Sequence, residues 1–362
     1  MPWPLIIQYA DSITKPLGLF KTLANVEYQK DIFDNPLMCA GGNAVVFKVK
    51  IGNQLKALKC YTKPKANIHA INLYLKNNPD DLIISNELLK EELFVYFGSN
   101  GHYFDVQISD WCEGRFFDFE IKRCVFNHHI DLLERYSEEF NLFAVQILER
   151  EWAHGDIKPE NIYVNPAGGF KLIDTDAMYI PTLSESDEIG TPNYRHPNRS
   201  AKDFGPHIDD YPLLLIAVSL RAIALDVTLF DKYTTKDNII LNPHEILAGN
   251  SACYNELVEL FAERGEWRYM QMLRALRSEA VAIDGILDMF KGLTTTPSIS
   301  PDEEINLETF CDKGKWGYCS KDRIVIPAVF DSAVEFRDGT AYIDLCGHRH
   351  KINTKGEIIN TL

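Results

Sequence analysis

The residues best equipped for chemistry lie in one short run, His154-Gly-Asp-Ile-Lys-Pro-Glu-Asn161, and at Asp174 beyond it. In order they supply a carboxylate (Asp156), an ammonium (Lys158), an amide (Asn161) and a second carboxylate (Asp174). Neither a short helix nor an ordinary turn needs that order, but phosphoryl transfer does. A hydroxyl nucleophile needs a carboxylate to accept its proton, and a nearby cation stabilises the charge spread over the transferring phosphoryl. Divalent ions that neutralise phosphates need hard oxygen ligands, which an amide and a carboxylate provide. The apolar stretch Phe170-Lys-Leu-Ile-Asp174 reads as a strand that delivers the second carboxylate.

The same residues resemble the protein kinase catalytic loop, H-R-D-L-K-x-x-N, followed by D-F-G on the next hairpin. The resemblance implies that Asp156 is the base and that Asn161 and Asp174 hold Mg2+. Lys158 has the spacing of the Ser/Thr type. Gly155 replaces an Arg that would pair with a phosphorylated loop, which implies activity without that switch. His154 is expected to be a packed core histidine. Thr175 and Asp176 stand where Phe and Gly would be; of restricting the loop, adding a metal contact or facing solvent, the last is expected of Asp176. The run Gly190-Thr-Pro-Asn-Tyr-Arg-His-Pro-Asn198 resembles G-T-x-x-Y-x-A-P-E, with Asn198 in place of the closing Glu. Thr191 would then hydrogen-bond Asp156 and Lys158 and help hold the acceptor site. Asp209 would tie to the catalytic-loop backbone.

These groups need elements to position them. Val45–Ile51 and Gln54–Tyr61 read as strands about a Gly52-Asn53 turn. Before them, Cys39–Ala44 resembles the kinase glycine-rich loop. Gly41, Gly42 and Val46 would cover a nucleotide, although a plain hairpin explains the segment equally well. Ala57-Leu58-Lys59 resembles V-A-I-K, whose Lys contacts phosphates and pairs with a Glu on the next helix. The next helix, expected over 64–76, contains no Asp or Glu. Either another carboxylate reaches Lys59, with Glu87, Glu91 and Glu92 as candidates, or the ion pair is absent. Residues 82–109 read as a further hairpin. Asp110–Gly114 resembles the hinge between kinase lobes, with Trp111 and Glu113 beside the adenine, although an ordinary strand-end turn explains the segment equally well. Apolar residues recur at three- and four-residue steps over 131–153, predicting a helix that leads into His154. Leu213–Leu225 reads as a buried helix, too short to span a bilayer and interrupted by Arg221. Residues 253–290 give further amphipathic helices.

The run 292–306 has a linker's composition, and the pattern changes after it. Lys315-Trp-Gly-Tyr318 and Ile324-Val-Ile-Pro327 resemble a WG repeat, a small β unit that would bury Trp316 and whose usual role is scaffolding or partner binding. His348 and His350 alternate on a strand with no residue spaced to complete a metal site, and read as surface polar residues.

Composition narrows the classes. A hydrophobic fraction of 46% can fill a sizeable core, and 37 Lys+Arg against 52 Asp+Glu give a formal charge of −15. That charge disfavours nucleic acid and anionic membranes as partners. The eight cysteines form no C-x-x-C pair and read as reduced thiols of a cytoplasmic protein.

The expectation is an α+β chain with a two-lobed protein kinase-like fold and a small C-terminal all-β WG-repeat appendage. It comprises an N-terminal extension (1–36), an N-lobe (37–114), a C-lobe (115–291), a linker (292–306) and the WG region (307–362). The implied function is an ATP- and Mg2+-dependent transfer of phosphoryl to a Ser or Thr hydroxyl of a protein or peptide. The alternative is a pseudokinase that binds nucleotide and serves as a scaffold, with the WG region engaging a protein partner. A third possibility keeps the fold but transfers a nucleotidyl group or acts on a small molecule.

Overall fold

The computed structural model describes residues 2–15, 18–112, 114–166, 168–294, 307–321 and 323–361. The chain is α+β and divides into two compact units, Met1–Phe117 with Asn161–Glu188, and Asp118–Glu160 with Ile189–Leu362.

The first unit opens with helix α1 (Ile6–Thr14) and strand β1 (Val26–Tyr28). Tyr9, Ala10, Ile13 and Val26 are buried in its core, so the N-terminal residues help build the unit. Strands β2 (Met38–Ala40), β3 (Ala44–Ile51), β4 (Gln54–Tyr61), β5 (Asn86–Phe97) and β6 (Asn100–Asp110) complete an antiparallel sheet in the order β1-β3-β4-β6-β5, with β2 paired to β3. Alternation along β3 buries Val45, Phe47 and Val49, the period-2 pattern of a strand with one face on a core. Gly52 turns the β3–β4 hairpin at φ +60°, a backbone region that suits glycine.

Helix α2 (Ile68–Asn77) starts later than the expected residue 64; Lys63 and Pro64 lie outside it. A second small sheet joins β7 (Arg115–Phe116), β8 (Ile162–Val164) and β9 (Phe170–Leu172). Leu172 also bonds through its backbone to Leu82 and Ile84. These pairings place segment 161–188 in the first unit, although it follows a long helix in sequence.

In the second unit, α3 (Phe117–Phe126) leads to α4 (Ile130–Leu148). The apolar stripe of α4 buries Leu133, Tyr136, Phe140, Phe143 and Ile147. The helix ends at Leu148, short of the expected 153. Residues 152–155 are buried, and Asp209 accepts from the backbone N–H groups of His154 and Gly155, which fixes this stretch outside the helix. Helix α5 (Asp210–Leu225) is buried nearly all round and packs on α4. Short helices α6 (Thr228–Tyr233) and α7 (Pro243–Ala248) precede α8 (Ala252–Glu263), α9 (Trp267–Ala275) and α10 (Ile286–Thr294). The expected linker begins inside α10, and 295–306 lie outside the described residues.

The C-terminal strands form a three-stranded sheet, β10 (Glu308–Asp312), β11 (Lys315–Ser320) and β12 (Arg323–Phe330). A four-stranded sheet follows, β13 (Ser332–Ala333), β14 (Thr340–Leu345), β15 (His348–Asn353) and β16 (Ile358–Thr361). Trp316 is only half-buried; Tyr318 and Phe330 fill the interior that the repeat resemblance assigned to it. The tryptophan buried against these strands is Trp267 on α9. Its Nε1 donates to Gly356 O at 2.8 Å, and its ring meets Phe330 edge-on at 4.9 Å. Gly356 has φ +85°, and a Cβ there would stand 2.5 Å from Trp267 Nε1, so only glycine fits. No helix among the described residues is long and apolar enough to cross a membrane.

Candidate functional site

Asp156, Lys158 and Thr191 come together in the second unit. Thr191 N donates to Asp156 Oδ1 at 2.6 Å, Lys158 Nζ lies 3.3 Å from Asp156 Oδ2, and Lys158 Nζ donates to Thr191 Oγ1 at 2.9 Å. Each group therefore fixes the other two. The backbone behind them is held as tightly. Buried Asp209 receives the N–H groups of His154 and Gly155, and burial raises its pKa against the pull of those bonds. Arg199, also buried, donates to Gly155 O at 2.9 Å. Gly155 has φ +82°, which accounts physically for glycine where the resemblance expects Arg. Gly190, at φ +76°, passes so close that a Cβ would lie 2.6 Å from Gly155 O. His154 is fully buried, as a packed histidine would be.

Lys59, Asp174 and Asp176 come together in the first unit. Strand β4 presents Lys59 opposite Val46 of β3. Its Nζ lies 2.6 Å from Asp174 Oδ1 and 2.8 Å from Asp176 Oδ2. Burial opposes the charge on Lys59, but the two carboxylates outweigh it and raise its pKa. Asp176 does not face solvent: its side chain is 10% exposed, against 45% for Asp174. Burial, aided by the like charge of Asp174, raises the Asp176 pKa, and Lys59 pulls it the other way.

Another carboxylate does reach Lys59, but it is none of the three glutamates considered. Glu87 faces Lys76, Glu91 faces Lys21, and buried Glu92 accepts from Thr22 N, Leu23 N and the Thr22 hydroxyl. An Asp-x-Asp pattern after a buried strand was the available signal for Asp176, but it does not name the lysine at the other end.

Asn161 is buried, and its carbonyl receives Ile173 N at 3.0 Å, which sets it against the residue preceding Asp174. An amide and a half-exposed carboxylate on adjoining segments are hard oxygen donors. They suit Mg2+, which keeps several waters and takes further ligands from substrate phosphates. No group of three or more His, Cys, Asp or Glu able to hold a metal occurs among the described residues.

Gly41 and Gly42 form the β2–β3 turn, where Gly41 N donates to Ala44 O at 2.8 Å. Neither needs glycine for its dihedrals, and Gly42 has open space where a Cβ would stand. Trp111 follows β6, with Lys48 Nζ 4.7 Å from its ring centroid. Glu113 lies outside the described residues. The Tyr163 hydroxyl reaches Cys112 O and Gly114 O at 2.5 and 2.6 Å and pins the hinge-like segment, a contact that sequence reading missed.

A cavity of about 810 Å³ lies elsewhere in the second unit, between α8, α9 and the C-terminal strands. Its charged lining, Glu259, Glu263 and Asp331 against Arg274, Arg277 and Lys315, is balanced in sign and selects no ligand charge. No protein-family model matches the chain, and no curated protein matches it.

Proposed function

We propose that the chain is an ATP- and Mg2+-dependent phosphotransferase with a two-lobed protein kinase-like fold and a WG-type C-terminal appendage, acting on Ser or Thr hydroxyls of a protein or peptide. One observation carries the reading. Lys59 sits on a strand 115 residues before Asp174, yet its ammonium is 2.6 Å from that carboxylate. A chance match of short motifs would not bring the strand lysine to the carboxylate that the motif singles out.

In this reading Lys59 binds nucleotide phosphates, and Gly41, Gly42, Val46 and Trp111 surround the nucleotide. Asn161 and Asp174 would hold Mg2+, which supplies charge neutralisation of the phosphates when bound. Asp156 accepts the proton of the acceptor hydroxyl. Its second oxygen stays on Thr191 N, so the carboxylate is aimed before substrate arrives. Lys158 contributes positive charge to the transferring phosphoryl while Thr191 holds it in place.

A second reading has one observation behind it. Lys59 is engaged by both Asp174 and Asp176, an arrangement that also suits a pseudokinase holding nucleotide without turnover. Mass spectrometry of the protein after incubation with ATP and Mg2+ separates these. A phosphoryl adduct, absent in Asp156→Ala, supports the phosphotransferase. An adenylyl adduct points to nucleotidyl transfer, and ATP binding with no adduct favours the pseudokinase.

A further inference from the structure

A lysine that grips nucleotide phosphates must itself be held. Helix α2, Ile68–Asn77, carries no acid, and the nearby glutamates are committed to Lys76, Lys21 and the Thr22–Leu23 backbone. Asp176 reaches Lys59 instead, at 2.8 Å, and is far more buried than Asp174. Its other oxygen lies 3.2 Å from the Tyr61 hydroxyl. Lys59 and Tyr61 are two apart on β4 and so share a face of the sheet. The Tyr61 hydroxyl also lies 3.1 Å from Gln107 Oε1, and Gln107 Nε2 donates to Asn86 Oδ1 at 2.7 Å and Asn72 Oδ1 at 3.4 Å. A buried polar path therefore runs from Asp176 through β4 and β6 to α2. The residue on α2 is an amide, which steadies the path but brings no charge to the lysine.

We propose that Asp176 is the positioning residue for Lys59, doing from the segment after Asp174 what a helix carboxylate would do from α2. The proposal rests on the phosphotransferase reading for its purpose, and on the geometry alone for the contact. Its regulatory consequence is specific. Lys59 and the metal-binding Asp174 are set by one stretch, 174–177, so rotation of α2 withdraws no charge from the lysine. Displacing 174–177 releases the lysine and the metal ligand together.

A double-mutant cycle on the full chain tests this, using Lys59→Met, Asp176→Asn and the pair together. Two quantities are read: affinity for ATP with Mg2+, by calorimetry, and acetylation of the Lys59 amine by acetic anhydride, measured by mass spectrometry against exposed Lys63. Asp176→Asn is expected to weaken ATP binding about tenfold and to raise Lys59 acetylation several-fold, the scale of losing a supporting contact. In the Lys59→Met background the same change should add less than about twofold, because the residue acts through the lysine. Asp176→Glu should keep both quantities within about threefold of the parent, since it retains the carboxylate. Unchanged acetylation in Asp176→Asn, a full further loss in the Lys59→Met background, or an Asp176→Glu variant as impaired as Asp176→Asn would each overturn the proposal. If the parent transfers no phosphoryl but the acetylation pattern holds, the phosphotransferase reading fails and the positioning role stands.

Discussion

The Asp156 group and the Lys59 group are assembled by opposite means. Asp156, Lys158 and Thr191 fix one another directly, and the loop beneath them is bonded to Asp209 and Arg199. It depends on backbone shape, with two glycines at positive φ where a side chain would be strained. The Lys59 group depends instead on charge brought from a distant segment into a buried place. Two carboxylates share one ammonium, and burial disfavours the ionised form of Asp176. Geometry protects the first group, whereas Coulombic balance protects the second. Damage should therefore look different in each.

The largest expected effect is on the first group. If the proposed function holds, Asp156→Ala should cut phosphoryl transfer by about 10²–10⁴, the range for losing a general base, with ATP affinity little changed. Equal rates in variant and parent would remove Asp156 from the chemistry and leave the comparison without a catalytic half.

Gly190→Ala tests whether backbone shape is what holds that group. The added Cβ meets Gly155 O at a φ that L side chains avoid, so a loss of about 1–3 kcal/mol in denaturant unfolding is expected, together with slower transfer. Parent-like stability would show that the loop yields easily and that the contrast is overstated.

Asp210 supplies a charge effect inside the shape-dependent unit. Burial raises its carboxyl to about 6, with the N–H of Ile283 and the nearby His207 pulling down and Asp209 pushing up. A folded-state pKa above the unfolded value of 3.8 stabilises the fold below about pH 4, and that contribution is lost as pH rises through about 6. Asp210→Asn should thus gain on the parent by up to about 3 kcal/mol between pH 4 and pH 7, read from thermal or urea unfolding across that range. A difference independent of pH would mean that packing, not charge, governs the site.

The smallest effect belongs to Glu91, the exposed partner of Lys21. Glu91→Ala should shift stability by less than about 0.5 kcal/mol and leave ATP affinity unchanged. A tenfold loss of ATP affinity would return Glu91 to the lysine and displace Asp176.

What could be read from the sequence follows the same division. The strands β3 and β4, the 82–109 hairpin, the stripe of α4 and the grouping of Asp156, Lys158 and Thr191 are visible because period and local order encode them. Helix ends were less legible: α4 stops at Leu148, and the stretch that follows is held by Asp209, far along the chain, through the backbone of His154 and Gly155. The partner of Lys59 was not legible. Asp174 and Asp176, two residues apart, differ sharply in exposure, and Asp176 also meets the Tyr61 hydroxyl of β4. Trp316 departs from expectation for a related reason. The repeat pattern names a tryptophan, but the aromatic that the strands enclose against α9 is Trp267, from outside the pattern.

That Trp267–Gly356 contact bears on any attempt to study the chemistry by itself. Cutting the chain after α10 looks harmless on paper, yet it strips the cover from a large indole and leaves its N–H without an acceptor. A shortened protein would carry a sticky aromatic face on α9, and clumping of such a fragment would report on that wound, not on what the C-terminal strands do in the intact chain.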